Sequence, residues 1–486
     1  MASTYRPGPV PSYNHGNLPS RPNLLVLLTD EERERAWWPA SVRLPHRERL
    51  AARGMTFGAH HVHAMPCSPS RSTIFTGLHT HSTRVLDNVD FGWQGSMPRS
   101  VPTLGTRLRS AGYRTAYVGK WHLTTHDGLA DGLEPYGFGH WIPPDRHGAP
   151  YLGHRHDGGT ARQAADFLAR HGHDSEPWAL VVSFINPHDI MLYPRFRKLR
   201  VHDWGAELPP NFDDDLSTKP AVQRRWRAVC DLTGGRVRKA DVWRMIANAY
   251  IDLCVEVDRH VGTVLDALAA SGAQSDTLVV STSDHGDLAG AHGQRQKGAF
   301  VYREVVNVPL TIAWPGVTQP GTHSDELTAA VDLTPTLLSA AEADPTVTAG
   351  LPGHDLTPLL GDPTARSPRA RALFVHDAYT SIGPQGPCRG FLRGSTDGRW
   401  KFGRYFLPGR QHAPLSECDL ELYDTHEDPL ELRNLAYEPG YASVVDEQSS
   451  ATDELIAAEL GDDVVEPPEP RSKLRALALL APREPT

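Results

Sequence analysis

Asn23-Leu24-Leu25-Val26-Leu27-Leu28-Thr29-Asp30-Glu31 is an unbroken apolar run that stops abruptly on a hydroxyl and two carboxylates. A strand buried on one face alternates apolar and polar residues, whereas a strand buried on both faces stays apolar throughout. The run therefore reads as an interior strand of an α/β sheet. Ligands of such sheets gather beyond the carboxyl ends of the strands. Asp30 stands where a metal or phosphate ligand would stand, although a helix N-cap opening the charged segment that follows is an equal reading of this stretch alone.

The same pattern recurs along the chain. Residues 115–118 end in Gly119-Lys120-Trp121-His122, residues 178–185 in Asn186-Pro187-His188-Asp189, and residues 277–282 in Ser283-Asp284-His285-Gly286-Asp287. Helical patterns at 103–110, 160–170 and 243–271 lie between them, with a short helix at 47–54, a strand over 56–62 and a further strand over 308–314. Helix, strand and polar cluster in alternation predict a doubly wound α/β sheet. Each polar cluster alone is most simply a surface feature; four at successive strand ends suggest one site.

The bulk properties set limits. A chain of 486 residues with 39% hydrophobic and 22% charged content can bury a full core, and its 42 Gly and 41 Pro imply many loops. A formal net charge of −9 argues against a nucleic-acid-binding surface. Five cysteines without short repeated spacing make neither a disulfide framework nor a zinc motif, so Cys230, Cys254, Cys388 and Cys418 read as structural thiols. Residues 1–21 form a polar leader without the apolar core of a signal peptide, and no apolar stretch is long enough for a membrane span, which predicts a cytoplasmic protein that engages no membrane. The expected organisation is a catalytic domain over 22–365, with an insertion near the active site at 192–241, and a C-terminal subdomain over 366–486. Short strands at 373–376, 391–393, 400–405 and 420–423 predict a small antiparallel sheet in that subdomain, with a helix over 441–460 packed on it.

Pro66-Cys67-Ser68-Pro69-Ser70-Arg71, running on to Thr76-Gly77, places a thiol at the start of a Ser/Thr-rich helix beside a fixed cation. Unpaired N–H groups there favour an anion or a nucleophile. An isolated Cys is more often simply buried. Cys67-x-Pro69-x-Arg71, however, resembles the signature of the type I sulfatases, in which this Cys is oxidised to formylglycine. The resemblance extends through Thr29-Asp30, Gly112-Tyr113, Gly119-Lys120-Trp121-His122-Leu123, Asn186-Pro187-His188, Ser283-Asp284-His285-Gly286, His292-Gly293, Lys297 and Val308-Pro309-Leu310. It continues to Leu422-Tyr423-Asp424, Asp428-Pro429, Glu431 and Asn434-Leu435.

The resemblance implies an alkaline-phosphatase-like sandwich, with a large, mostly parallel central sheet between helices and a smaller C-terminal α+β domain. It implies a metal-dependent hydrolase of sulfate esters that acts on a small anionic ester after maturation by a formylglycine-generating enzyme. Asp30, Asp284, His285 and the modified Cys67 would hold one divalent metal ion, with Glu31 a further candidate ligand. Arg71 and Lys120 would bind the hydrated aldehyde and the anion's oxygens, His122 would orient the hydrate, and His188 and Lys297 would contact the ester oxygen. Carboxylates suit Ca2+, Mg2+ or Mn2+. Two residues depart from the common pattern: Glu31 replaces Asp and His285 replaces Asn, the latter tilting the site towards Mn2+. The Asp-His pair also occurs in phosphonate monoester and phosphodiester hydrolases and in choline-sulfatase-like members, so hydrolysis of phosphonate monoesters or phosphodiesters is the alternative activity. A non-catalytic binding member with an unmodified Cys67 is the third reading. His79, His81 and His126 are candidates to line the pocket, residues 87–93 to form its rim, and a homo-oligomer is the default assembly.

Overall fold

The computed structural model describes residues 21–147, 151–195, 201–382 and 388–464. Residues 1–20 of the expected leader and 465–486 of the expected tail lie outside them. Strand β1 (Asn23–Asp30) is an interior strand of a seven-stranded sheet. The other strands in chain order are β2 (Met55–Phe57), β3 (His60–His61), β4 (Arg114–Gly119), β5 (Trp178–Pro187), β6 (Thr277–Ser283), β7 (Leu310–Ala313), β8 (Thr322–Ser324) and β9 (Thr328–Ala329). The sheet runs β4-β5-β1-β6-β7-β2-β8, and β3 pairs separately with β9.

Neighbours β5 and β6 run parallel to β1, with Leu24 opposite both Ala179 and Leu278. Leu24, Val26 and Leu28 enter one hydrophobic cluster with Ile74, Phe75, Leu104, Leu108 and Leu337, whereas Leu25 and Leu27 enter another with Ala164, Phe167, Val257, Val261 and Leu265. The apolar run is unbroken because each face has its own helical layer. Burying such a Leu contributes about 2 kcal/mol, so polar substitution on either face of β1 would be costly.

Strand β7 pairs antiparallel with both β6 and β2, making the sheet mixed at one side and parallel across the four strands that end in polar clusters. The single strand expected over 56–62 is two, because the chain turns away at Gly58, whose N–H donates to Ser324 O at 2.9 Å. At the end of β4, Gly119 has φ of +95°, and a Cβ there would lie 2.0 Å from Ser183 O. Only glycine lets β4 hand Lys120 to the site this close to β5.

Strands β10 (Ala372–His376), β11 (Phe391–Thr396), β12 (Trp400–Phe406) and β13 (Asp419–Asp424) form an antiparallel sheet in that order, covered by the helix Ala442–Glu459. Phe374, Leu392, Phe402 and Leu422 join the same hydrophobic cluster as Val26 and Leu28, so this sheet shares the core of the large one. Within 192–241, where weak periodicity predicts an irregular insertion, residues Ala221–Gly234 form a helix. Its buried stripe is Val222, Trp226, Val229 and Cys230, diluted in the sequence by Arg224, Arg225 and Arg227. Gln223 donates to Glu421 at 2.7 Å and Trp226 to Arg295 O at 3.0 Å, which ties β13 to the loop before Lys297. Among the described residues no helix is long and apolar enough to cross a membrane.

Candidate active site

Cys67 opens the helix Cys67–Thr76, all of whose residues are buried and which closes at Gly77 in a left-handed conformation. The first turn is pinned from outside: Ser68 Oγ donates to His122 O at 2.6 Å, and Ser68 N–H donates to Asn88 Oδ1 at 3.0 Å. Burial, with Asp30's charge adding to it, pushes the Cys67 thiol up to about 11.

Three strand ends and this helix converge on the sulfur. Cys67 Sγ lies 3.6 Å from Asp30 Oδ1 and 3.2 Å from His285 Nε2. His285 Nε2 is 3.9 Å from Asp30 Oδ1 and 3.7 Å from Asp284 Oδ1. The outer oxygens of both carboxylates are held by cations: Arg71 donates to Asp30 Oδ2 and Asp284 Oδ2, each at 2.8 Å, and Lys120 Nζ lies 2.6 Å from Asp30 Oδ2. His285 Nδ1 lies 3.0 Å from Gly286 O and so carries the proton, which turns the lone pair of Nε2 inward. Asp30 Oδ1, towards which the Cys67 thiol donates, Asp284 Oδ1, which accepts from Glu31 N–H at 3.1 Å, and His285 Nε2 then turn towards one another. A divalent cation satisfies such a set of acceptors.

The electrostatics are consistent with that fit. Burial alone would raise Asp30, but the charges of Lys120 and Arg71 outweigh it and hold the carboxyl well below its usual range. Burial and the neighbouring Asp30 push Asp284 up. A bound dication would relieve that repulsion.

The far wall carries Lys297, whose Nζ lies 2.7 Å from Glu31 Oε2. His188 Nε2 sits 3.7 Å from the same oxygen and 3.9 Å from Asp30 Oδ1. Burial, reinforced by the charges of Lys297 and Lys120, drives His188 well below its usual pKa and keeps it neutral. Glu31 Oε1 is buried and has no hydrogen-bond partner. Glu31, Asp30 and His188 lie within reach of one ion, but Glu31 is first of all the partner of Lys297.

His122 occupies a left-handed turn at φ +59°, held there because the N–H groups of Trp121 and His122 donate to Asp145 at 3.0 and 2.8 Å. Its Nε2 lies 2.8 Å from Asp90 Oδ2, while Nδ1 is buried without a partner. His147 bonds the other Asp90 oxygen. Asp145 and His147 carry no sequence signal, because they come from a loop without periodicity. Asp90 lies in the stretch expected to form the rim, beside Phe91 and Trp93, whose rings stack at 4.8 Å.

Two expected pocket residues are elsewhere. His79 bonds Glu459 at 2.7 Å and His81 bonds Asp463 at 2.8 Å, both buried under the segment after β13. They fasten the end of the helix Ala442–Glu459 and the residues after it to the segment following the Cys67 helix. The side chain of His126 lies outside the described residues. Cys230, Cys254, Cys388 and Cys418 are buried free thiols.

A buried cage of acceptors and fixed cations at the carboxyl edge of a mostly parallel sheet defines a hydrolase of anionic esters on the alkaline-phosphatase-like fold. Residues 22–343 match the family described as Sulfatase, and residues 290–458 match N-sulphoglucosamine sulphohydrolase, C-terminal. The chain belongs to the sulfatase family and is a sulfuric ester hydrolase. It is 29% identical over 465 residues to the Delta 4,5-hexuronate-2-O-sulfatase of Bacteroides thetaiotaomicron, covering 91% of this chain and 90% of that one. It is 28% identical over 455 residues to the choline-sulfatase of Rhizobium meliloti, covering 86% and 83%. Among solved structures, a 2-O GAG sulfatase superposes with a TM-score of 0.75 at 25% identity, over 93% of this chain and 96% of that one. The phosphonate monoester hydrolase of Silicibacter pomeroyi shares the fold, with a TM-score of 0.71 at 22% identity over 90% and 96%.

Proposed function

We propose that the protein hydrolyses sulfate esters with a formylglycine made from Cys67, releasing inorganic sulfate and an alcohol or phenol. Asp30, Asp284, His285 and the modified residue would hold one divalent ion. The observation that carries this reading is the convergence of Asp30 Oδ1, Asp284 Oδ1 and His285 Nε2 beside Cys67 Sγ, with the outer carboxylate oxygens locked by Arg71 and Lys120.

The ion, Ca2+ or Mn2+ with Mg2+ a further candidate, would supply Lewis acidity and acidify a hydroxyl. The hydrated aldehyde would supply two hydroxyls on one carbon, one to attack sulfur and one to let the aldehyde re-form as sulfate leaves. The chain's own residues do the rest. Arg71 holds both carboxylates in register, and Lys120 places a second cation against Asp30, so together they offset negative charge where an anionic ester must enter. His122, with its Nε2–H on Asp90, offers Nδ1 as an acceptor that orients the hydrate. On the opposite wall neutral His188 and the Lys297 ammonium face the departing ester oxygen, one of them serving as the acid.

Cys67 is 0% exposed, so the maturing enzyme would act on the chain before it closes. The catalytic unit of 22–365 would be completed by the subdomain from 366 on. Support comes from Thr380, which donates to Asp87 at 2.8 Å behind the rim. His285 beside Asp284 favours a second reading, a phosphonate monoester or phosphodiester hydrolase. A screen of sulfates, phosphonates and phosphodiesters, with metal content and the mass of the Cys67 peptide measured on the same sample, tests both. Sulfate-ester turnover dominates if the first reading holds; far faster cleavage of phosphonates overturns it, and an unmodified thiol after co-expression with the maturing enzyme overturns the mechanism.

A further inference from the structure

Beside the catalytic cage lies a second cluster of ligating groups. Asp90, His122 and His147 each offer one donor atom, and the three atoms lie within 4.8 Å of one another. Asp90 comes from the rim loop, His122 from the end of β4, and His147 from the loop before the helix Leu152–His171. We propose that these residues form an inhibitory site for Zn2+, with water as the fourth ligand.

Ligand identity is the first argument. Two imidazoles and a carboxylate are a zinc donor set; calcium and magnesium prefer oxygen. Geometry is the second. Ligands around tetrahedral zinc stand roughly 3.3 Å apart, given metal distances of about 2.0 Å. Asp90 Oδ2 and His122 Nε2 already stand 2.8 Å apart, and the Asp90 carboxylate bridges the two rings, which stack with centroids 4.2 Å apart. The third is support from behind. His147 presents Nδ1 to the cluster while its Nε2 faces Asp145 Oδ2 at 3.3 Å. A carboxylate behind a ligating imidazole is the arrangement that orients zinc-bound histidines. Asp145 is itself fixed by two backbone N–H groups.

Charge and access agree. Two carboxylates, Asp90 and Asp145, surround one histidine cation, which leaves the cluster negative; Lys120, the nearby cation, is already paired with Asp30. Zinc in place of the His147 proton would bring the cluster to neutrality, one proton passing to solvent per ion bound. The Asp90 side chain is 43% exposed and the ring of His147 14%, so an ion reaches the site from the rim.

Inhibition follows from the tautomer. Without zinc, the proton of His122 sits on Nε2 against Asp90, and the buried Nδ1 is an acceptor. Zinc needs the Nε2 lone pair and moves the ring proton to Nδ1, turning the acceptor into a donor. This step rests on the role proposed above for His122; zinc binding itself does not.

The test uses the mature protein loaded with its divalent ion and free zinc set by a metal buffer. Bound zinc is counted by equilibrium dialysis and elemental analysis, and hydrolysis of p-nitrophenyl sulfate is followed in parallel, for the parent and for His147→Asn and His147→Gln. We expect the parent to bind one more zinc per chain than either variant, to release about one proton with it, and to be inhibited at tenfold or more lower free zinc. Equal stoichiometry in parent and variants overturns the site. Differential binding with equal inhibition overturns the tautomer switch alone. Should both variants misfold, Co2+ decides on the parent: the intense visible bands of a tetrahedral N/O site support the proposal, and their absence refutes it.

Discussion

His376→Gln should remove a defined part of the pH dependence of stability. His376 is buried at the end of β10, with Nε2 2.8 Å from Ser381 Oγ, and burial aided by the charge of Arg393 lowers it to about 3. In the unfolded chain it titrates near 6.5. A folded value below the unfolded one means that the unfolded state takes up the proton first, so stability falls as pH drops through 6.5 and keeps falling towards the folded value. Between pH 7.5 and pH 5 this single group takes away about 2 kcal/mol. His60, lowered to about 4 mainly by burial, contributes a loss of similar size. Asp87 and Asp189 act in the opposite sense: burial raises each to about 6, so each returns about 1.4 kcal/mol over the same interval. Further buried groups shift in both directions, so only the difference between parent and variant isolates His376. Urea unfolding followed by tryptophan fluorescence at both pH values supplies four free energies. The parent should lose about 2 kcal/mol more than His376→Gln between them, whatever the variant costs at pH 7.5. Equal losses would refute the claim that this histidine is held neutral by burial.

Cys67→Ser should retain the parent's circular dichroism yet lose multiple turnover of an aryl sulfate by 10³-fold or more, roughly the loss expected when a nucleophile is removed; steady turnover at the parent rate would remove the need for a second hydroxyl. Chelation should abolish turnover and lower the melting temperature without unfolding the chain at 25 °C, with Mn2+ or Ca2+ restoring both; unchanged melting would detach the acceptor cage from metal binding. Arg393→Met should destabilise by about 3–5 kcal/mol, because the buried guanidinium lies between Asp377 at 2.9 Å and Asp463 at 2.7 Å and its loss leaves Asp377 uncompensated and Asp463 with His81 in place of a fixed cation. Chemical denaturation checks this, and Arg393→Met with Asp463→Asn should recover part of the loss.

The parallel part of the fold was legible because double-sided burial leaves a mark that single residues cannot mimic: β1 and β5 carry long apolar runs, β6 is buried at all but one position around Leu278-Val279-Val280, and each ends on side chains of the site. Strand direction leaves no such mark, and nothing in Val308 to Trp314 distinguishes the antiparallel β7 from a parallel neighbour. The helix Ala221–Gly234 was hidden because its exposed arginines interrupt the stripe. Histidines were the least legible residues. His79 and His122 each precede or follow short polar loops, yet one is buried against Glu459, 380 positions away, and the other faces Asp90. Their partners come from segments that neither periodicity nor spacing connects to them. The same distinction separates the two halves of the site: strand ends place the acceptors and cations around Cys67, so that half follows from the sheet, whereas Asp90, Asp145 and His147 arrive on loops that the sheet does not constrain. Substitutions in those loops should therefore act on the rim while leaving the cage at Cys67 intact.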